Sequence, residues 1–189
     1  ELLFSDIFEN DANWLYANDT VNPEDWSVVG GELLQANNVH IEAYQGSYRF
    51  GTFAYLDSMV FPARSSFRFS VDVTPRTNAN GAREGNDAGI MFPYKQDPTP
   101  LDGSDDEMYF RVSMNARNGF TRLEKRQNGV FRTLGVNSIG YIDNQTVSMT
   151  VEVNADTVAV WIDGDLIFAV IDADIPAGTV GLYCQDEAS

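Results

Sequence analysis

The chain has 189 residues, 43% of them hydrophobic and 12% aromatic, which is too apolar for disorder and large enough for one ordinary core. Its 28 acidic residues against 12 basic ones give a net charge of −16, which argues against nucleic acid and anionic membrane surfaces, since both attract positive patches. A lone cysteine, Cys184, excludes an internal disulfide, and no apolar run approaches the ~18 residues of a membrane span, so no membrane insertion is expected.

Short alternating or apolar runs broken by Gly, Asn, Asp and Pro recur along the chain, and helical periodicity is nearly absent. In chain order the pattern predicts strands at Leu2–Phe8, Trp26–Val29, Glu32–Ala36, Gly51–Leu56, Ser66–Thr74, Asp87–Tyr94 and Met108–Asn115. Further strands are expected at Gly119–Arg126, Val130–Leu134, Gln145–Val153, Thr157–Ile162, Leu166–Ile171 and Thr179–Cys184. Asn128-Gly129 and Asp163-Gly164 are two-residue hairpin signals, because both central positions of a type I′ turn need positive φ. The second half therefore reads as an antiparallel meander. Two connections are longer than a turn requires: Pro75–Asn86, rich in Asn and Gly, and the acidic Lys95–Glu107. The whole chain, 1–189, reads as a single domain cut from a larger extracellular protein, secreted or at the cell surface.

The stretch WIDGDLIFAVIDADIPAGTVGLYCQDEA sets out a strand, a hairpin, a strand, a short Ile-Pro connection and a Gly-x-Val-Gly-Leu strand. Together with DIFEND, DWSVVGGELLQA, SFRFSVDVT, DAGIMFPYKQD and MYFRVSMNARNGFTRLEKRQNGVFRTL, it resembles the concanavalin A-like, laminin-G-like jelly-roll superfamily. The likeness is nearest to bacterial modules related to sugar hydrolases and to the C-terminal domain of thrombospondins. It implies an all-β fold, a two-sheet antiparallel β-sandwich with a concave face, often a structural calcium ion, and carbohydrate or protein binding. Two departures stand out. Pro93 occupies a place where relatives often present an arginine on the concave face. The closing strand that in relatives follows the Gly-Leu-Tyr strand and pairs beside the first strand is not present before Ser189. A parent polypeptide continuing into that strand is the expectation, with Leu2–Phe8 or a neighbouring chain as other ways to fill the gap.

A glycosidase needs two carboxylates across the scissile bond, about 5–9 Å apart. The E-x-D-x-x-E run of concanavalin-like hydrolases does not occur here; Glu124 and Glu152 each stand alone on their strands, and Glu107 lies at a loop edge. His40 has no companion motif, and Cys184 reads as a buried small hydrophobe. A binding face has a stronger case. Strand alternation sends Met108, Phe110 and Val112 one way and Tyr109, Arg111 and Ser113 the other, while Arg122, Glu124 and Arg126 share a face. Because these two strands form a hairpin, Tyr109, Arg111, Arg122 and Glu124 are the candidate ligand-binding patch. A sugar ring would stack there while planar charged groups take its hydroxyl pairs. On this reading Tyr109→Ala abolishes binding at little cost in stability. Tyr44, Tyr48 and Trp14 are rim candidates, with core packing favoured for Trp14.

Calcium wants six to eight oxygen ligands. Asp6, Glu9 and Asp11 in the first turn are one candidate donor set, and Asp97, Asp102, Asp105 and Asp106, with Glu107 beside the flexible Gly103, are another. Taken together, the residues point to a non-catalytic extracellular binding or adhesion module, carbohydrate-binding and calcium-stabilised, with a carbohydrate or cell-surface glycan as partner. A jelly-roll glycoside hydrolase or polysaccharide lyase is the alternative, and a calcium-rigidified spacer a third.

Overall fold

The computed structural model describes residues 4–18, 26–36, 51–57, 59–76, 87–96, 107–115 and 119–185. Its strands are β1 (Trp14–Asn18), β2 (Trp26–Val29), β3 (Glu32–Gln35), β4 (Thr52–Leu56), β5 (Phe67–Val73), β6 (Asp87–Lys95) and β7 (Met108–Asn115). They continue as β8 (Phe120–Gln127), β9 (Val130–Asn137), β10 (Val147–Asn154), β11 (Thr157–Ile162), β12 (Asp165–Ile171) and β13 (Thr179–Gln185). A seven-stranded sheet runs β1-β4-β13-β6-β7-β8-β9, a four-stranded sheet runs β12-β11-β10-β5, and β2 and β3 form a separate hairpin. Every pairing is antiparallel.

Period-two alternation builds the layer between the sheets. Ile90, Phe92, Phe110, Val112, Met114 and Leu123 come from the larger sheet; Met149, Val151, Val153, Val158 and Val160 come from the smaller one. Each is at most 1% exposed. The turns follow the sequence closely. Asn128 and Gly129 take φ of 51° and 72°, and Asp163 and Gly164 take 50° and 88°, as the primed hairpin turns demand.

The sequence and the structure part company at the N-terminus. Phe4–Phe8 forms no strand, and the first strand is Trp14–Asn18, which the pattern did not disclose. The cause is local. Asp6 lies two positions from both Phe4 and Phe8, where strand alternation would need an apolar side chain facing the core. Its carboxylate instead accepts from Phe8 N at 2.6 Å and from Trp14 Nε1 at 2.9 Å, curling the segment so that Phe8 adopts φ 53°. Phe4 and Phe8 then pack on the Trp14 ring, with centroids 6.5 and 5.8 Å away. Trp14 is a core residue, 6% exposed, rather than a rim residue. The Gly-Leu strand, β13, is hydrogen-bonded to β4 on one side and to β6 on the other.

The sheets are tied at one edge by an ionic junction. Lys125, on the core side of β8, donates through Nζ to Asp172 Oδ1 at 2.7 Å and to the Asp174 carbonyl at 2.9 Å. Arg132 on β9 reaches Asp172 Oδ2 at 2.7 Å. Burial opposes ionisation of Asp172, but the hydrogen bonds from Lys125 and the Asp174 amide and the charges of Lys125 and Arg132 outweigh it and lower its pKa. A lowered carboxylate pKa contributes stability that is present above the unfolded value and lost as pH falls through the folded one. Thermal melts from pH 7 down to pH 2 should therefore show a loss below about pH 4 that is smaller in Asp172→Asn. At pH 7 that variant should be destabilised by about 3–5 kcal/mol, because Lys125 is left buried without its counter-charge.

Candidate functional site

The face of the larger sheet turned away from the core carries a continuous set of side chains. At one end they are aromatic: Phe53 and Tyr55 on β4, Tyr94 on β6, Tyr109 on β7 and Tyr183 on β13 form a second buried cluster with Met91. Phe53 lies 5.8 Å from both Tyr109 and Tyr183, and Tyr94 lies 5.0 Å from Tyr55. Pro93 helps to place this end. It sits where the β6–β7 register shifts between Phe92 and Lys95, and a residue without an N–H is tolerated inside a sheet at such a bulge. The shift brings Tyr94, rather than the next alternating position, onto the aromatic face.

The other end is charged. The β7–β8 register sets Tyr109 opposite Arg126, Arg111 opposite Glu124 and Ser113 opposite Arg122, so the four residues singled out by alternation share one face. Arg111 Nη2 donates to Glu124 Oε2 at 2.7 Å, and both side chains are fully buried. The Arg111 guanidinium carbon lies 4.2 Å from the Tyr183 ring centroid and 4.8 Å from that of Phe131. Burial opposes the charge on Arg111, yet Tyr183, Tyr109 and Glu124 hold its pKa above the ordinary arginine value. Burial raises the Tyr183 pKa well above 10, against the lowering influence of Arg111.

Asp87, at the start of β6, is the residue that sequence reasoning missed. Its Oδ1 accepts from Asn115 Nδ2 at 2.6 Å, and its Oδ2 from Ser113 Oγ at 2.9 Å and Arg122 Nη2 at 3.2 Å. Arg122 Nε lies 3.1 Å from Glu124 Oε2, so one guanidinium is flanked by two carboxylates. Alternation through Gly89 and Met91 does put Asp87 on this face, but an aspartate at a strand start reads first as a turn residue. Gly89 in the same strand is obligatory, since a Cβ there would fall 1.9 Å from the Val112 carbonyl oxygen. Glu107 is paired with Arg126, and Thr133 Oγ1 lies 3.4 Å from Glu124 Oε1.

Accessibility divides the four candidates. Tyr109, Arg111 and Glu124 are 0% exposed, whereas the Arg122 side chain is 18% exposed. The first three are a buried frame and Arg122 is the group that reaches the surface. Tyr109→Ala would therefore open a core-sized hole, contrary to the small stability effect expected from sequence. Glu152 lies away from this network, opposite Arg68 in the smaller sheet. An open groove of about 350 Å3 lined by Lys125, Gln127, Arg132 and Asp174 adjoins the Lys125–Asp172 junction, away from the Arg111–Glu124 network.

Of the proposed metal ligands, Asp6 holds the N-terminal turn. Burial opposes its ionisation, and hydrogen bonds from Trp14, the Phe8 amide and Asn13 outweigh that and lower its pKa. Asp11 Oδ2 accepts from Tyr16 OH at 3.4 Å, and Glu9 is exposed. Among the described residues no three Asp, Glu, His or Cys side chains gather closely enough to hold an ion. Asp97, Asp102, Asp105 and Asp106 lie outside the described residues, as do His40, Tyr44 and Tyr48.

No family model matches the sequence, and no curated protein matches it. Solved structures do. The carbohydrate-binding module CBM66 from Bacillus subtilis is 16% identical, with 93% of this chain and 92% of that one covered at a TM-score of 0.65. A prokaryotic β-1,3-1,4-glucanase (lichenase) from a mouse hindgut metagenome is 13% identical over 98% of this chain and 86% of that one, TM-score 0.65. LamAcat from Zobellia galactanivorans is 14% identical over 100% and 88%, TM-score 0.66. At these identities the likeness is one of fold: this chain has the fold of a concanavalin-like jelly-roll β-sandwich.

Proposed function

We propose that the chain is a non-catalytic carbohydrate-binding module of the extracellular space, which takes a glycan on the aromatic and polar face of its larger sheet. The observation that carries the reading is the partly exposed Arg122, clamped between Asp87 and Glu124 with the Phe120 ring 4.7 Å from its guanidinium carbon. A guanidinium fixed by two carboxylates offers planar donors at a set angle, which suits a pair of sugar hydroxyls. Tyr109, Arg111 and Glu124 serve as the frame that fixes this geometry.

The other reading with support is a hydrolase, since glucanases share the fold. Against it, the carboxylates of the network are engaged by this chain's own donors. Both oxygens of Asp87 accept hydrogen bonds, and Glu124 faces Arg111, Arg122 and Thr133. A glycosidase must present one carboxyl as acid and a second as nucleophile or base. A glycan array combined with a reducing-sugar assay separates the readings: retention without release of reducing ends is expected, and turnover would replace the module with an enzyme. Arg122→Ala should weaken binding at least about tenfold, or ~1.4 kcal/mol, with its circular dichroism spectrum retained. Tyr109→Ala should instead lose about 3–5 kcal/mol of stability.

Calcium belongs to the same proposal as a stabilising ion, for which the acidic 97–107 stretch of the sequence carries the hard oxygen donors. A ligand bound only by the folded state adds about 2.7 kcal/mol at a hundredfold excess over Kd. Millimolar calcium added to chelator-treated protein should raise Tm by roughly 5 °C or more; coincident melts would remove the ion from the proposal.

A further inference from the structure

We infer that the face built on Arg122 selects neutral glycans and rejects uronate or sulfate polymers, with Asp87 as the residue that sets this preference. The inference rests on the carbohydrate-binding reading above and names the ligand class for the same site.

The argument is one of charge. An arginine that captures an anion has to present net positive charge to it. Here Arg122 has Asp87 Oδ2 at 3.2 Å from Nη2 and Glu124 Oε2 at 3.1 Å from Nε, so carboxylates lie on two of its edges. The second guanidinium of the network, Arg111, is fully buried on Glu124 and cannot reach a surface ligand. Two arginines and two carboxylates therefore sum to zero, and the neighbouring Arg126 is likewise matched by Glu107. A sulfate or uronate approaching Arg122 would meet two fixed negative charges at nearly the same distance as the positive one. Beyond the network the chain carries −16, and the stretch of sequence between Lys95 and Met108 holds Asp97, Asp102, Asp105, Asp106 and Glu107. Repulsion between an anionic polymer and this body acts over about a Debye length, ~8 Å at physiological salt.

A neutral sugar meets the opposite situation. Arg122 meets Asp87 through Nη2 and Glu124 through Nε, and the two N–H groups of Nη1 are the ones that would donate to adjacent hydroxyls. The exposed Thr133, whose hydroxyl donates to Glu124, adds an oxygen that can accept. The half-buried Phe120 ring, 4.7 Å from the Arg122 guanidinium carbon, is the apolar surface beside these donors. Removing the charge of Asp87 while keeping its shape should tip the balance. Asp87→Asn retains an acceptor oxygen for Ser113 or Asn115 and leaves Arg122 with one carboxylate instead of two.

The test uses the whole chain against four probes: a neutral β-1,3-glucan, a neutral β-1,3-1,4-glucan, polygalacturonate and a sulfated galactan. Binding is measured by affinity electrophoresis and calorimetry at 0.05 and 0.5 M NaCl, each with and without chelator. The expected result is binding to at least one neutral glucan that changes less than about twofold with salt, because no counterion is released. The anionic polymers should not bind the parent chain, and Asp87→Asn should gain affinity for one of them by about tenfold or more at low salt. Melting curves of the variant accompany the measurement, and the salt dependence of the parent chain stands independently of whether the variant folds. Anionic polymers held as tightly as neutral ones, and released by salt, would overturn the charge argument while leaving carbohydrate binding intact. Retention of an anionic polymer only without chelator would also overturn it, assigning recognition to a bridging ion. Silence on all four probes would remove the carbohydrate reading itself, and this inference with it.

Discussion

A guanidinium taken wholly out of water has to find its charge and its hydrogen bonds inside the protein, and the larger sheet is organised around that requirement at Arg111. Glu124 supplies the counter-charge at 2.7 Å, and the rings of Tyr183 and Phe131 lie 4.2 and 4.8 Å from the guanidinium carbon. Those partners come from β8, β13 and β9, so placing one side chain fixes the relative position of four strands. Removing either member of such a pair leaves an uncompensated buried charge, typically a loss of about 3–5 kcal/mol. Glu124 is shared with Arg122, Arg122 with Asp87, and Asp87 with Ser113 and Asn115, so the constraint spreads across β6, β7 and β8.

The same three strands make the core on their other side. Ile90, Phe92, Phe110, Val112, Met114 and Leu123 face the smaller sheet between the positions that carry the ionic network. A one-residue slip would drive charges into the apolar layer and apolar groups onto the network at once. Both faces therefore select one register, more strongly than a sheet with one solvated face would. Two local devices adapt the frame: Gly89 permits the close approach of β6 to β7, and the bulge at Pro93 swings Tyr94 into the aromatic cluster.

The fold itself is compatible with both binding and hydrolysis, as the structures that share it illustrate. The charged chemistry of this chain lies on the face of the larger sheet turned away from the core. Its carboxylates Asp87 and Glu124 hold arginines, and Arg122, the guanidinium of that network that reaches the surface, is flanked by both. On the proposed reading, such a face positions donors for a sugar rather than exchanging protons with it.

The alternation of Tyr109, Arg111 and Ser113 against Phe110 and Val112 was legible because a strand has a strict period of two, and the Asn-Gly and Asp-Gly turns because positive φ restricts residue choice. Those local rules also gave the shared face of Arg122 and Glu124, since a short hairpin fixes its own register. Trp14–Asn18 escaped notice because WLYAN is mostly apolar without clear alternation, and its pairing with Thr52–Leu56 is a long-range event. Phe4–Phe8 misled because Asp6 bonds its own backbone and the distant Trp14 indole, a choice that composition does not reveal. Asp87 joined the site only when β6 was laid beside β7. By itself, then, the sequence determined which residues alternate, where the chain turns and that the body is acidic, all properties of neighbours in the chain. Burial of Tyr109, Arg111 and Glu124, the clamp on Arg122 and the entry of Asp87 were decided by tertiary structure, because each depends on strands meeting across the sheet.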